Sequence, residues 1–140
     1  KAELLRDGKD LTLIGFGPVV YRCLQAAEKL KTMGIDAAVI NLRFVNPLDE
    51  HLIISLAKKT GKIVTVEDHI LNGGAGSAVL EVLQSKGLTD IIVERIGYKH
   101  YVEHGSTAVL HQVYGINSEQ IVETALKLAG RDKREGLASG

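Results

Sequence analysis

Short apolar runs of strand length alternate along this chain with longer stretches of helical periodicity, and glycines punctuate the joins. Leu11–Ile14 is a β-rich run after the polar turn Asp7–Asp10, and Ala37–Leu42, Lys62–Glu67 and Thr89–Ile96 are three more. Between them, Val20, Leu24, Ala27 and Leu30 recur at helical spacing, as do Leu52, Ile53, Leu56 and Ala57, and then Val79, Val82 and Leu83. A last helix carries Ile121, Val122, Ala125 and Leu128 and runs to Ala129. Strands joined through helices must run mostly parallel, because each crossover returns the chain to the end of the sheet where the previous strand began. A parallel sheet is buried on both faces, which is why these runs are nearly continuous in apolar residues rather than alternating.

The punctuation agrees with this rhythm. Pro18 suits the first position of a helix, since its missing N–H is not needed there. Asp49 is placed to cap a helix start, and Gly34 and Gly61 to end helices in a left-handed conformation. Gly73–Gly76 reads as a turn before a helix over 77–86, and Asn117 or Ser118 as the cap of the last helix. Ser106 is expected to cap a short helix ending at Gly115. The 140 residues fit one domain, read as 1–130, with a charged, fraying tail over 131–140. The chain starts at Lys1 and its one methionine is Met33, which suggests a piece of a longer polypeptide.

Charge and composition exclude several classes. Lys plus Arg and Asp plus Glu both number 17, so no electrostatic footprint for nucleic acid or an anionic membrane exists. Apolar stretches such as Ala37–Ile40 and Ile91–Val93 are far too short for a membrane-spanning helix. The single cysteine, Cys23, can form neither an internal disulfide nor a thiolate metal cluster. On the inner side of its helix it reads as a small buried hydrophobe.

Four features carry candidate chemistry. Gly15-Phe16-Gly17 stands between strand and helix, where a dinucleotide-binding turn would sit. Its third glycine is replaced by Val20, and Asn41 and Arg43 stand where an acidic ribose-binding residue belongs, so an ordinary turn is the better reading. Gly73, Gly74, Gly76 and Ser77 open a helix whose partial positive charge could attract an anion. No lysine follows the last glycine, so it is not a phosphate-cradling nucleotide loop, and close backbone packing is the favoured explanation. Glu67, Asp68 and His69 end the third strand, and open α/β sheets place ligands at strand C-termini. His69 could carry a proton near neutral pH, yet no nucleophile stands at a recognisable spacing. An interface role is therefore expected for this group. His100 and His104 with Glu103 have zinc-like spacing, but Gly97 and Gly105 bracket them without helical pattern, so no metal site is expected. No catalytic residue is assigned.

The order of segments says more than any one motif. Leu11–Gly17, Asn41–Asp49 (Asn-Leu-Arg-Phe-Val-Asn-Pro-Leu-Asp), Val64–His69, Gly73–Glu81 and Tyr101–Ser106 (Tyr-Val-Glu-His-Gly-Ser) follow one another as in the C-terminal domain of transketolase-like enzymes. Nearly the whole chain resembles that domain. The Arg-Phe-Val-x-Pro-Leu-Asp and Val-Glu-His-Gly-Ser stretches look most like the 1-deoxy-D-xylulose-5-phosphate synthase branch. Lys99 and His100 stand where that branch usually has Pro-Asp, Ala75 where it often has an aromatic residue, and Tyr114–Ile116 looks more like ordinary transketolases. The resemblance implies a three-layer α/β/α sandwich on a five-stranded, mostly parallel mixed sheet. It implies a supporting and dimerisation domain of a cytoplasmic enzyme that binds thiamine diphosphate and magnesium through its preceding domains, with no cofactor and no catalysis in this domain alone. Ordinary transketolases and 2-oxo acid dehydrogenase beta subunits share such a domain and stay open as alternatives, as does a free-standing module binding an anion or nucleotide at Gly73–Ser77.

Overall fold

A computed structural model describes residues 2–43, 48–67, 74–97 and 116–130 of the chain. The strands are β1 (Glu3–Arg6), β2 (Leu11–Phe16), β3 (Ala37–Asn41), β4 (Lys62–Glu67) and β5 (Ile92–Ile96). The helices are α1 (Val20–Thr32), α2 (Glu50–Thr60), α3 (Ala75–Ser85) and α4 (Ser118–Ala129). They form one five-stranded sheet in the order β1-β3-β2-β4-β5. Strands β3, β2, β4 and β5 are mutually parallel, and β1 lies antiparallel on β3. The sheet is mostly parallel, as the alternation of strands and helices predicts, and five-stranded and mixed, as the family resemblance implies.

The sheet is covered on both faces, and the side chains sort by the two-residue period of a strand. Leu11, Leu13, Val39, Val64 and Val66 point to one side, against the buried faces of α1 and α4. Ile14, Ala38, Ile40 and Ile63 point to the other, against α2 and α3. The helical positions expected to be buried are buried: Ala27 and Leu30 on α1, Ile53, Leu56 and Ala57 on α2, Val79, Val82 and Leu83 on α3, and Ile121, Val122, Ala125 and Leu128 on α4. Leu24 and Leu52 are partly buried at the margins of these layers.

Helix ends follow local chemistry. Asp49 Oδ1 accepts from the Leu52 amide at 3.4 Å. Asn117 forms a reciprocal box with Gln120, each side chain accepting the other's amide, which satisfies two N-terminal donors at once. Gly61 closes α2 in the left-handed region at φ 72°. Pro18 falls in a turn that precedes α1 rather than at its first position: Val20 N–H donates to Gly17 O and Arg22 N–H to Val19 O. Helix α3 begins at Ala75, two residues before the expected start, because Gly74 takes the cap position.

Strand β1 has no counterpart in the sequence reading. It has four residues and is exposed along most of its length, so neither a burial period nor a long apolar run marks it. Its register shifts between Leu4 and Arg6, as at a bulge on a sheet edge. Arg6 ties it down, reaching Asp36 at 3.1 Å. Beside it, Lys59 Nζ bonds Asp7 at 2.8 Å, and this bond, with help from the Gly8 amide, holds the Asp7 carboxyl below the usual carboxylate range.

Cys23 is fully buried under α1, and burial pushes its thiol up to about 12. The thiolate is the reactive form. Native protein at pH 8 is therefore expected to resist a thiol-specific reagent and to react only after unfolding. Stoichiometric labelling of the folded chain would contradict this. The short helix expected at Ser106–Gly115 and the tail over 131–140 lie outside the described residues.

Candidate functional site

The period of β4 decides where Glu67 goes. Ile63, Thr65 and Glu67 alternate with Val64 and Val66, so Glu67 points to the side of the sheet covered by α2 and α3. It is 7% exposed, one of few buried polar residues. Its carboxylate lies at the start of α3, where Oε1 accepts the Gly76 amide at 3.2 Å. The first amides of a helix lack intrahelical acceptors and carry partial positive charge. The helix start that the glycine turn offers to an anion thus faces an anion of the chain itself.

Arg95 completes the arrangement. In the parallel pairing of β4 with β5, Arg95 stands opposite Thr65 and Ile96 opposite Val66, so Arg95 projects to the same side as Glu67. Its Nη2 lies 4.0 Å from Glu67 Oε1 and donates to Ser77 Oγ at 3.2 Å. Its side chain remains 45% exposed, so solvent screens the pair. Arg95 is not among the residues singled out from the sequence; its place on the face of Val93 follows from strand period, but its pairing with Glu67 follows only from the β4–β5 register.

The glycines fit this cluster sterically. A methyl group at position 74 would collide with the Glu67 carboxyl, and one at position 76 would come within 2.5 Å of Arg95 Nε. At position 97, just after β5, a methyl group would lie 3.5 Å from Glu67 Cγ. Gly74 and Gly76 therefore let a helix start approach two charged side chains. The other glycine pair has a different cause. A methyl group at Gly15 would lie 3.0 Å from both Cys23 Sγ and Val20 Cα, and Gly17 adopts φ 88°. Close helix packing and a left-handed turn account for Gly15-Phe16-Gly17 without a dinucleotide.

Of the sequence-predicted residues, Glu67, Gly74, Gly76 and Ser77 come together at the end of β4 and the start of α3. Asp68, His69 and Gly73 lie outside the described residues, as do His100, Glu103 and His104. Among the described residues, no group of three or more His, Cys, Asp or Glu side chains could hold a metal ion, and no helix is long and apolar enough to cross a membrane. A cavity of about 290 Å³ between α1 and α4, lined by Gln25, Lys29, Val122 and Leu126 among others, includes none of the candidate residues.

The sheet order β1-β3-β2-β4-β5 with its antiparallel β1 edge defines a domain type. The family model described as "Transketolase, C-terminal domain" matches residues 1–121, and the chain belongs to that family. It is 52% identical over 139 residues to the C-terminal region of a 1-deoxy-D-xylulose-5-phosphate synthase of Desulfitobacterium hafniense, covering 99% of this chain and 22% of the relative. A synthase of the same name from Heliobacterium modesticaldum is 47% identical, covering 95% of this chain and 21% of the relative. The chain thus spans about a fifth of the length of the curated relatives it matches. Among solved structures, a split-gene transketolase described as an inactive beta4 tetramer matches with TM-score 0.79 and 32% identity, over 92% of this chain and 42% of that one. Transketolase of Campylobacter jejuni shares the fold at TM-score 0.57 and 20% identity, over 90% of this chain and 18% of that one.

Proposed function

We propose that this chain is the C-terminal supporting and dimerisation domain of a thiamine-diphosphate-dependent 1-deoxy-D-xylulose-5-phosphate synthase. The parent enzyme would join pyruvate to glyceraldehyde 3-phosphate with loss of carbon dioxide, in the cytoplasm and as a homodimer. The observation that carries this reading is 52% identity sustained over 99% of the chain against one fifth of a synthase. Sequence similarity of that extent across a whole domain, rather than at a motif, fits a chain that performs the same task in the same context.

The described residues do not fit the cofactor. A diphosphate needs converging donors and a counter-cation. The helix start at Gly74–Ser77 presents its Gly76 amide to Glu67, and a second anion there would meet that carboxylate's repulsion. The same geometry bears on a free-standing anion-binding module, since any external anion at this turn would have to displace Glu67. In the proposed enzyme, thiamine diphosphate and magnesium are held by the preceding domains. Glu67, Gly74, Gly76 and Ser77 belong to the face at the strand C-termini that meets those domains or the second subunit, and the same role is proposed for Asp68, His69 and Gly73 from their place in the sequence alone.

A direct test is calorimetric. The isolated chain is expected to release no heat on titration with thiamine diphosphate and magnesium, and to form no product from pyruvate and glyceraldehyde 3-phosphate. Saturable cofactor binding, or turnover by the isolated chain, would overturn the assignment of this domain to a supporting role.

A further inference from the structure

We infer that Glu67 is the positioning residue of the face at the strand C-termini: one carboxylate fixes the end of β4, the start of α3 and the end of β5 relative to one another. This deepens the docking role proposed above and rests on it only for its functional consequence.

Two contacts converge on the side chain, and the end of β5 runs beside it. Its Oε1 accepts the Gly76 amide at 3.2 Å, which holds the first turn of α3. The same oxygen lies 4.0 Å from Arg95 Nη2, and Arg95 in turn bonds Ser77 Oγ at 3.2 Å. A methyl group added at Gly97 would lie 3.5 Å from Glu67 Cγ and 3.6 Å from Glu67 O, an ordinary packing distance, so the end of β5 runs beside Glu67. These three junctions are the places where the chain enters or leaves regular structure at this end of the sheet. Backbone hydrogen bonds hold β4 to β5 only as far as the strands run, and α3 meets the sheet through apolar packing of Val79 and Leu83. Apolar packing is non-directional. A buried hydrogen bond to a charged acceptor is directional and is costly to leave unmade. Glu67 therefore supplies the angular constraint that packing lacks.

The glycines support this role independently. Gly74 and Gly76 are the positions at which a side chain would occupy the space of the Glu67 carboxyl and of Arg95. Glycine at 74 leaves the space that the Glu67 carboxyl occupies, and glycine at 76 leaves the space in which Arg95 lies. An ordinary polar strand end has no need of them.

Backbone amide exchange on the 140-residue chain tests the inference with two variants. Glu67→Ala removes the acceptor, and Glu67→Gln keeps its length and an accepting oxygen. In Glu67→Ala, exchange is expected to rise about tenfold at Gly76 and also at Ile96 and Gly97, the effect of losing one buried hydrogen bond locally. Leu13 and Val39, in the centre of the sheet, are expected to keep native rates, and Glu67→Gln is expected to restore protection at all three junction amides. A rise confined to Gly76, an equal rise throughout the sheet, or failure of Glu67→Gln to restore protection would overturn the inference. The same pair, placed in a chimera with the rest of the Desulfitobacterium synthase, separates positioning from docking. Weaker dimer assembly in Glu67→Ala with recovery in Glu67→Gln supports both. Unchanged assembly alongside the expected exchange pattern leaves positioning standing and removes the docking role of this face.

Discussion

Replacing Leu13 with alanine is expected to destabilise the chain by about 2–5 kcal/mol. Leu13 is fully buried in the centre of β2, paired with Val39 on one side and Val64 on the other. It belongs to the apolar layer that joins the sheet to α1 and α4. Strand β2 is held between two neighbours, so the backbone cannot close the space left by the lost carbons. The cost is the transfer free energy of those carbons plus that of the residual cavity. Tyr21→Ala serves as the control. Tyr21 lies on the same layer's helix but is 71% exposed, and a shift within about 0.5 kcal/mol is expected there. Urea titration of both variants checks the pair. Equal shifts would mean that the α1 face is packed differently from the structure.

Gly8→Ala is expected to destabilise the chain by about 1–3 kcal/mol. A methyl group at Gly8 would run into the backbone of Ala37 and Ala38, where β3 begins. Backbone anchored in a sheet cannot yield without moving the β2–β3 pairing. Gly76→Ala makes an instructive contrast. There the obstacle is the far end of Arg95, which is half-exposed and can swing into solvent. Gly76→Ala should therefore cost less than Gly8→Ala, although it displaces Arg95 from Ser77. The order of the two urea midpoints is the readout. A larger loss at Gly76 would show that Arg95 is fixed more firmly than its exposure implies.

Much of this architecture could be read from the residues because parallel α/β order leaves strong local traces. Strands β2, β3 and β4 are apolar runs since both their faces are covered, and Asp49, Gly61 and Asn117 mark helix ends by chemistry that operates within a few residues. Strand β1 was not legible for the opposite reason. It lies at a sheet edge with Leu4 and Leu5 exposed, and what holds it is pairing with β3, about 35 residues away in sequence. Strand β5 begins at Ile92 rather than Thr89, because the chain is still leaving α3 through Gly87 at φ 69°.

The candidate site was half legible. The glycine turn and the acidic strand end were visible as separate features, one suited to an anion and the other carrying one. Sequence spacing could not show that they answer each other, since that follows from α3 packing back over β4. Arg95 was invisible as a partner because its contact with Glu67 depends on the β4–β5 register. The family resemblance carried the rest, and it did so through the order of five segments where no single motif sufficed.

If this chain does the work of a synthase C-terminal domain, it should be able to replace one. The most direct measurement replaces the aligned C-terminal region of the Desulfitobacterium hafniense synthase with these 140 residues and follows formation of 1-deoxy-D-xylulose 5-phosphate, alongside sedimentation of the chimera. The chimera is predicted to sediment as a dimer and to retain synthase activity, while the same enzyme cut before this region loses both. A soluble, folded chimera that stays monomeric and inactive would contradict the claim.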